Sequence, residues 1–200
     1  GARLGDEAKV RLAQIVERLA QLHTAFSQNV LADESNWVLW LRAERDLAGL
    51  PASVRDAAKG VAVERGDPDA WAITTSRSIV VPFLTFSDRR DLREQAYRAW
   101  KARGENDGER DNRPIAREIL KLRTEQARLM GYPSYADFAL VDRMAGTPAA
   151  VQQLLQRVWE PAKARAREEY SALQAQAAAM GQPTALEPWD WRYYAEKVRQ

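Results

Sequence analysis

Metal-assisted hydrolysis needs two or three ligands held together, and the helical zinc signature His-Glu-x-x-His places two imidazoles on one helix face. The 200 residues contain a single histidine, His23, and no cysteine. The chain therefore carries no such motif, no thiolate site, no disulfide and no cysteine nucleophile. His23 falls at helical spacing beside Leu19, Leu22 and Phe26, the setting of a residue that flanks a core rather than one that binds metal or moves protons. Three carboxylate pairs have the types needed for acid–base work: Asp88 with Asp91, Glu105 with Asp107, and Glu168 with Glu169. Arg or Lys residues lie close to each pair, so a solvated, salt-bridged surface explains them equally well. No Gly-x-Ser-x-Gly elbow, phosphate loop or dinucleotide glycine fingerprint is present. On these grounds no catalytic residue and no metal ligand is assigned, and substrate-binding residues are left open.

Aromatic residues are the other notable set. Among seven Trp, Trp189 and Trp191 sit close to Tyr193 and Tyr194, and Trp37 lies three residues before Trp40. Such spacing suits core or inter-helix packing, with a substrate-lining groove built from Trp189, Trp191, Tyr193 and Tyr194 as the alternative.

The elements that must position these residues are mainly helical. Apolar positions Leu12, Ile15, Val16, Leu19, Leu22, Phe26 and Val30 predict a helix over about 6–31, with Asp6 as N-cap. Residues 36–41 are short, aromatic and β-branched, which predicts a strand. Ala52 or Ser53 opens a second helix that Gly66 closes, and residues 71–75 read as a second strand. The two strands are expected to pair, since a lone strand leaves backbone groups unsatisfied, and to be covered by helices, since two strands alone are marginal. Ser87 or Asp88 starts a helix through Trp100 that ends near Gly104, and the polar stretch 104–109 is a loop. Asn112 is expected to cap the next helix, with Pro114 in its first turn, Gly131 as its stop, and Ile115, Ile119, Leu122, Leu129 and Met130 on its core face. Ser134 with Asp137 forms a capping box for a helix that ends at Gly146. Thr147-Pro148 begins the longest helix, which Pro161 should kink or limit and Gly181 ends. Its apolar face carries Val151, Leu154, Leu155, Val158, Ala162, Tyr170, Leu173 and Met180. A loop to Pro188 leads into a final helix that meets no Gly, Asn or Pro before Gln200, so the chain is expected to be a piece of something longer.

Composition bounds the partners. Thirty Lys and Arg against twenty-eight Asp and Glu leave a net charge of +2, with the signs interleaved. That pattern suits solvated helix faces rather than a phosphate-binding stripe, so no nucleic-acid partner is expected. No apolar run approaches the roughly 20 residues of a membrane span, and the first six residues carry no signal-peptide apolar region, so no membrane partner is expected and a cytoplasmic location is.

Several segments together resemble the thimet oligopeptidase family of zinc metallopeptidases, nearest its bacterial peptidyl-dipeptidase and oligopeptidase A branch. They are Phe26-Ser27-Gln28-Asn29-Val30-Leu31, Asp46-Leu47-Ala48-Gly49-Leu50-Pro51, and Pro82-Phe83-Leu84-Thr85-Phe86-Ser87-Asp88-Arg89-Arg90-Asp91-Leu92-Arg93. Further along come Arg103-Gly104-Glu105-Asn106, Asp111-Asn112-Arg113-Pro114-Ile115, Leu129-Met130-Gly131-Tyr132, Met144-Ala145-Gly146-Thr147-Pro148 and Pro188-Trp189-Asp190-Trp191-Arg192-Tyr193-Tyr194. They recur in family order over nearly the whole chain.

The resemblance implies a mainly α helical scaffold with one small two-stranded sheet, part of a neurolysin-like, channel-containing peptidase fold. It implies a single helical unit over 1–200 cut from a larger enzyme, with 1–86 as N-terminal helices plus the sheet and 87–200 as the start of the peptidase-domain helices. Family members hydrolyse short peptides with one zinc held by a His-Glu-x-x-His helix and a later Glu. That helix lies downstream of the segment resembling 188–194, so no family catalytic residue has a counterpart here. Zinc is expected in the full-length parent and not in this chain, which is expected to be inactive without its missing C-terminal catalytic half. The alternative is a stand-alone, non-catalytic helical module that binds a peptide or protein partner.

Overall fold

The computed structural model describes residues 4–182 and 185–199. It is mainly α, with eight helices among the described residues and one two-stranded antiparallel sheet. The helices are α1 (Asp6–Asn36), α2 (Ala52–Glu64), α3 (Arg77–Phe86), α4 (Arg90–Lys101), α5 (Asn112–Leu129), α6 (Tyr135–Leu140), α7 (Pro148–Ala179) and α8 (Trp191–Arg199). The strands are β1 (Leu39–Leu41) and β2 (Trp71–Ile73), in a register that sets Leu39 opposite Ile73 and Leu41 opposite Trp71. Both strands are shorter than the sequence predicts, and α1 runs five residues further than expected. Among the described residues no helix is long and apolar enough to cross a membrane.

The chain divides into two compact units, each discontinuous in sequence. The first comprises the chain up to Val30 together with Gly104–Arg165. Its core joins Ile15, Leu19 and Leu22 of α1 to Ile119 and Leu122 of α5, with Ile115 and Leu129 packed at the margin. Arg11 pairs with Glu125 and Arg18 with Glu118, so the two helices run antiparallel. The N-cap of α5 is Asp111, not Asn112: the Asp111 carboxylate accepts the Arg113 N–H, and Asn112 is already helical. Asn112 is buried and acts as a clamp instead. Its amide donates to the Phe26 carbonyl at 3.0 Å and accepts from Asn29 at 2.9 Å. The Ser134 cap of α6 is as expected, accepting the Asp137 N–H at 3.2 Å, but α6 stops at Leu140, six residues before Gly146.

The second unit comprises Leu31–Arg103 and the chain from Ala166 onward. Its larger core is built from Leu41 and Ile73 of the sheet, Leu47, Leu50, Ala58, and Val80, Phe83, Leu84, Leu92 and Ala96 of α3 and α4. A smaller core joins Leu173 and Ala177 of α7 to Tyr193 and Tyr194 of α8. Helix α3 goes beyond the sequence reading. Its start is marked by Ser76 and its buried face by Val80, Phe83 and Leu84. Pro82 inside it and the β-branched run Ile79-Val80-Val81 mask that signal, because both depress intrinsic helix propensity. Helix α4 begins at Arg90, after an extended Arg89 rather than at Ser87 or Asp88. Helix α7 runs through Pro161 for 32 residues, so proline does not limit it. The loop expected before Pro188 includes residues 183 and 184, which lie outside the described residues.

Candidate functional site

The corner between α3 and α4 is three residues long and turns on two backbone bonds. Ser87 closes α3 with its N–H on the Phe83 carbonyl at 3.0 Å, and the Asp88 N–H reaches the Ala48 carbonyl at 2.9 Å. Gly49 lies directly against this corner at φ +80°. A Cβ there would come within 2.4 Å of the Phe86 carbonyl oxygen and 2.7 Å of the Asp88 carboxylate. Glycine is required at this position both for its positive φ and for the close approach. The 46–51 and 82–93 segments are thus locked to one another.

Arg90 and Arg93 lie one turn apart on α4 and so share a face. That face points at Asp190, the residue just before α8. Asp190 and Arg93 are each 1 % exposed. Arg93 donates to Asp190 Oδ1 at 2.8 Å, to the Ser87 carbonyl at 2.7 Å and to the Trp189 carbonyl at 3.2 Å. Arg90 grips the same carboxylate through Nε, at 3.0 and 3.1 Å, and through its terminal nitrogen at 2.8 Å. The Glu187 N–H supplies a further donor at 3.1 Å, and the Asp190 carbonyl accepts the Tyr194 N–H of the first turn of α8 at 3.0 Å.

Burial alone would push the Asp190 carboxyl up, but the hydrogen bonds from Arg90, the Glu187 backbone and Arg93 outweigh it and hold the group below the usual carboxylate range. The Tyr193 hydroxyl donates to Asp88 at 2.8 Å. Burial, reinforced by that bond and by the Asp88 charge, pushes its ionisation up to about 12. Tyr194 is raised as well, by burial and then by the Asp190 charge. The Arg93 guanidinium lies 4.1 Å from the Tyr193 ring centroid, and that of Arg98 4.8 Å from Trp189. Beside the network, Arg89 bridges Asp46 and Asp91. Asp46 also accepts the Ala43 and Arg42 N–H groups and stays below its ordinary range although burial opposes this.

This arrangement positions the chain. Both Asp190 oxygens accept from guanidinium groups, so the carboxylate cannot take a proton or a metal without giving up bonds that hold α8 in place. Charge buried this deeply must be paired, and the pairing pins the 82–93 segment to the 188–194 segment.

The candidate residues from the sequence are dispersed. His23 is exposed, with its Nε2 accepting from Arg123 at 3.3 Å. Asp91 is engaged by Arg89 at 2.7 Å and Asp88 by Tyr193, so the two carboxylates serve different partners. Asp107 pairs with Arg113 on the surface, and Glu168 and Glu169 are exposed on α7. Trp189, Tyr193 and Tyr194 are buried packing residues, and Trp191 stacks on Tyr170 with centroids 6.1 Å apart. The Trp189 Nε1 is buried without a hydrogen-bond partner among the described residues. Among the described residues no group of three His, Cys, Asp or Glu is placed to hold a metal ion. The pairing of Arg93 with Asp190 escapes sequence reading because 97 residues separate them. The one available signal is that Arg93 falls on the same stripe of α4 as Leu92 and Ala96, where a charge demands a partner.

Residues 83–200 match the family described as Peptidase family M3. The chain is 36% identical over 204 residues to "Oligopeptidase A" of Salmonella typhimurium, all of the chain aligning with 30% of that protein. It is 30% identical over 200 residues to "Dipeptidyl carboxypeptidase" of Escherichia coli, covering 29% of it, and 30% identical over 210 residues to "Probable cytosolic oligopeptidase A" of Arabidopsis thaliana, again covering 29%. The chain thus spans about 30% of the length of these relatives. With more than half of its length under the family match, and with the paired 82–93 and 188–194 segments inside or bordering that stretch, the chain belongs to peptidase family M3.

Proposed function

We propose that this chain is the upstream scaffold of a zinc-dependent oligopeptidase or peptidyl-dipeptidase that hydrolyses short peptides, and that it is inactive alone. Residues 87–200 would be the start of the peptidase-domain helices, a boundary supported by the family match beginning at residue 83. The observation that carries the reading is family M3 membership combined with a chain whose one imidazole, His23, is engaged by Arg123. Zinc and the general base would come from a segment of the polypeptide outside these 200 residues, so no hydrolytic step is assigned to any residue described here. The contribution of this chain is positional: Asp190, Arg90 and Arg93 fix the start of α8, and the segment that follows inherits that direction. A cytoplasmic location belongs to the same reading.

The test compares the full-length polypeptide with the 200-residue chain for bound zinc and for cleavage of a quenched fluorescent short peptide. Zinc and chelator-sensitive cleavage in the full-length protein, with neither in the chain, is the expected result. Cleavage by the 200-residue chain would overturn it.

A further inference from the structure

The N-terminal half of α7 presents an apolar face that nothing in its own unit covers. Residues 152–162 are exposed throughout, yet Leu154, Leu155, Val158 and Ala162 recur at the three- and four-residue spacing of a helix that packs on another helix. Leu155 is 62 % exposed and Trp159 beside it 61 %. With Gln152, Gln156, Val158 and Ala162, Leu155 and Trp159 line an open depression of about 330 Å³ on one side of the helix. Beside it, Lys163 lies 2.8 Å from Glu160 and 5.8 Å from the Trp159 ring centroid. The face therefore offers an apolar ridge with Gln152 and Gln156 along one side.

Helical stability in proteins comes from packing rather than propensity, and the only buried residues of α7, among those described, are Leu173 and Ala177, at its far end. Pro161 removes one further backbone bond from the uncovered half. Packing against a further element would favour helix over 148–165. More than two thirds of the length of the relatives lies outside the stretch that this chain matches. A second copy is the weaker occupant. Leu154 to Ala162 spans only about 12 Å of helix axis, whereas a stable dimer buries roughly 800 Å² on each partner. A helix tethered in the same polypeptide binds with no loss of translational freedom.

We infer that the Leu154–Leu155–Val158–Ala162 face of α7 is the docking surface for an amphipathic helix of the same M3 polypeptide that lies outside these 200 residues. The inference rests on the proposed role of the chain as part of a longer peptidase. The test places a single cysteine at Leu155→Cys, or at Gln153→Cys on the opposite side of the helix, and follows maleimide labelling by peptide mass in both the 200-residue chain and the full-length polypeptide. The Leu155→Cys thiol is expected to react about tenfold or more slowly in the full-length protein than in the chain, as a covered site does, while Gln153→Cys reacts alike in both. Val158→Cys provides a second probe of the face if Leu155→Cys does not fold. Equal labelling of the face in both proteins would overturn the inference. So would protection in the 200-residue chain that rises with concentration and accompanies a dimer mass, which would assign the face to a second copy. Zinc content and peptide cleavage, measured on the same full-length samples, report on the peptidase reading separately, so either can fail alone.

Discussion

Replacing Asp190 with Asn is expected to leave Arg93, 1 % exposed, without its counter-charge. Breaking a buried pair from one side costs ~3–5 kcal/mol, read as a lower urea midpoint at unchanged slope. An Asp190→Asn protein within about 0.5 kcal/mol of wild type would show that the network contributes nothing beyond area burial. The same residue sets a pH dependence. Its carboxyl is held below the ordinary range in the folded state, so its stabilisation is fully present above the unfolded value of ~3.9 and is lost as pH falls through the lower folded value. Wild type should lose stability on acidification below about pH 4 more steeply than Asp190→Asn, and parallel acid profiles would contradict the assignment. At the alkaline end Tyr193 behaves in the opposite sense. Its proton is retained to about 12 in the folded protein, so its stabilising effect is present below the unfolded value of ~10 and is lost as pH rises between the two. An absorbance titration near ~295 nm should show late-ionising tyrosine signal that is reduced in Tyr193→Phe. An unchanged late step in that variant would place the shift elsewhere.

The elements differ in how far their own sequences specify them. The Ser134–Asp137 cap and the Gly131 stop are local signals, and both appear at the expected places. The pairing of β1 with β2 follows from two short aromatic and β-branched runs that each need a partner. Helix α3 escapes because Pro82 and its β-branched residues oppose helix locally, and burial of Val80, Phe83 and Leu84 against the sheet and α4 overrides them. Asn112 looks like a cap in sequence, but its partners Phe26 and Asn29 lie more than eighty residues away. The α7 face is legible as spacing, whereas its division into a covered end at Leu173 and an uncovered one at Leu155 depends on which helices arrive there. At the corner of α3 and α4 the requirement for Gly49 is steric. Gly49→Ala should cost ~2 kcal/mol or more, since it combines a positive φ with a contact no Cβ can make. A thermal midpoint unchanged from wild type would mean that the 46–51 loop is not held as described.

At the scale of the whole molecule, the chain carries family M3 identity. The motifs that make it recognisable hold one another: the 46–51 loop fits against the 87–89 corner, and Arg93 of the 82–93 segment closes on Asp190 of the 188–194 segment. Legibility of function follows the same division. The family could be read from segments in order, but the network joining them could not, because it is a contact between distant segments rather than a pattern within one. The measurement that tests the central claim most directly is the reading frame beyond the codon for Gln200. The account predicts an open frame that continues into His-Glu-x-x-His and a later Glu. A stop codon close to Gln200 would contradict it and leave a non-catalytic binding module built on an M3 scaffold.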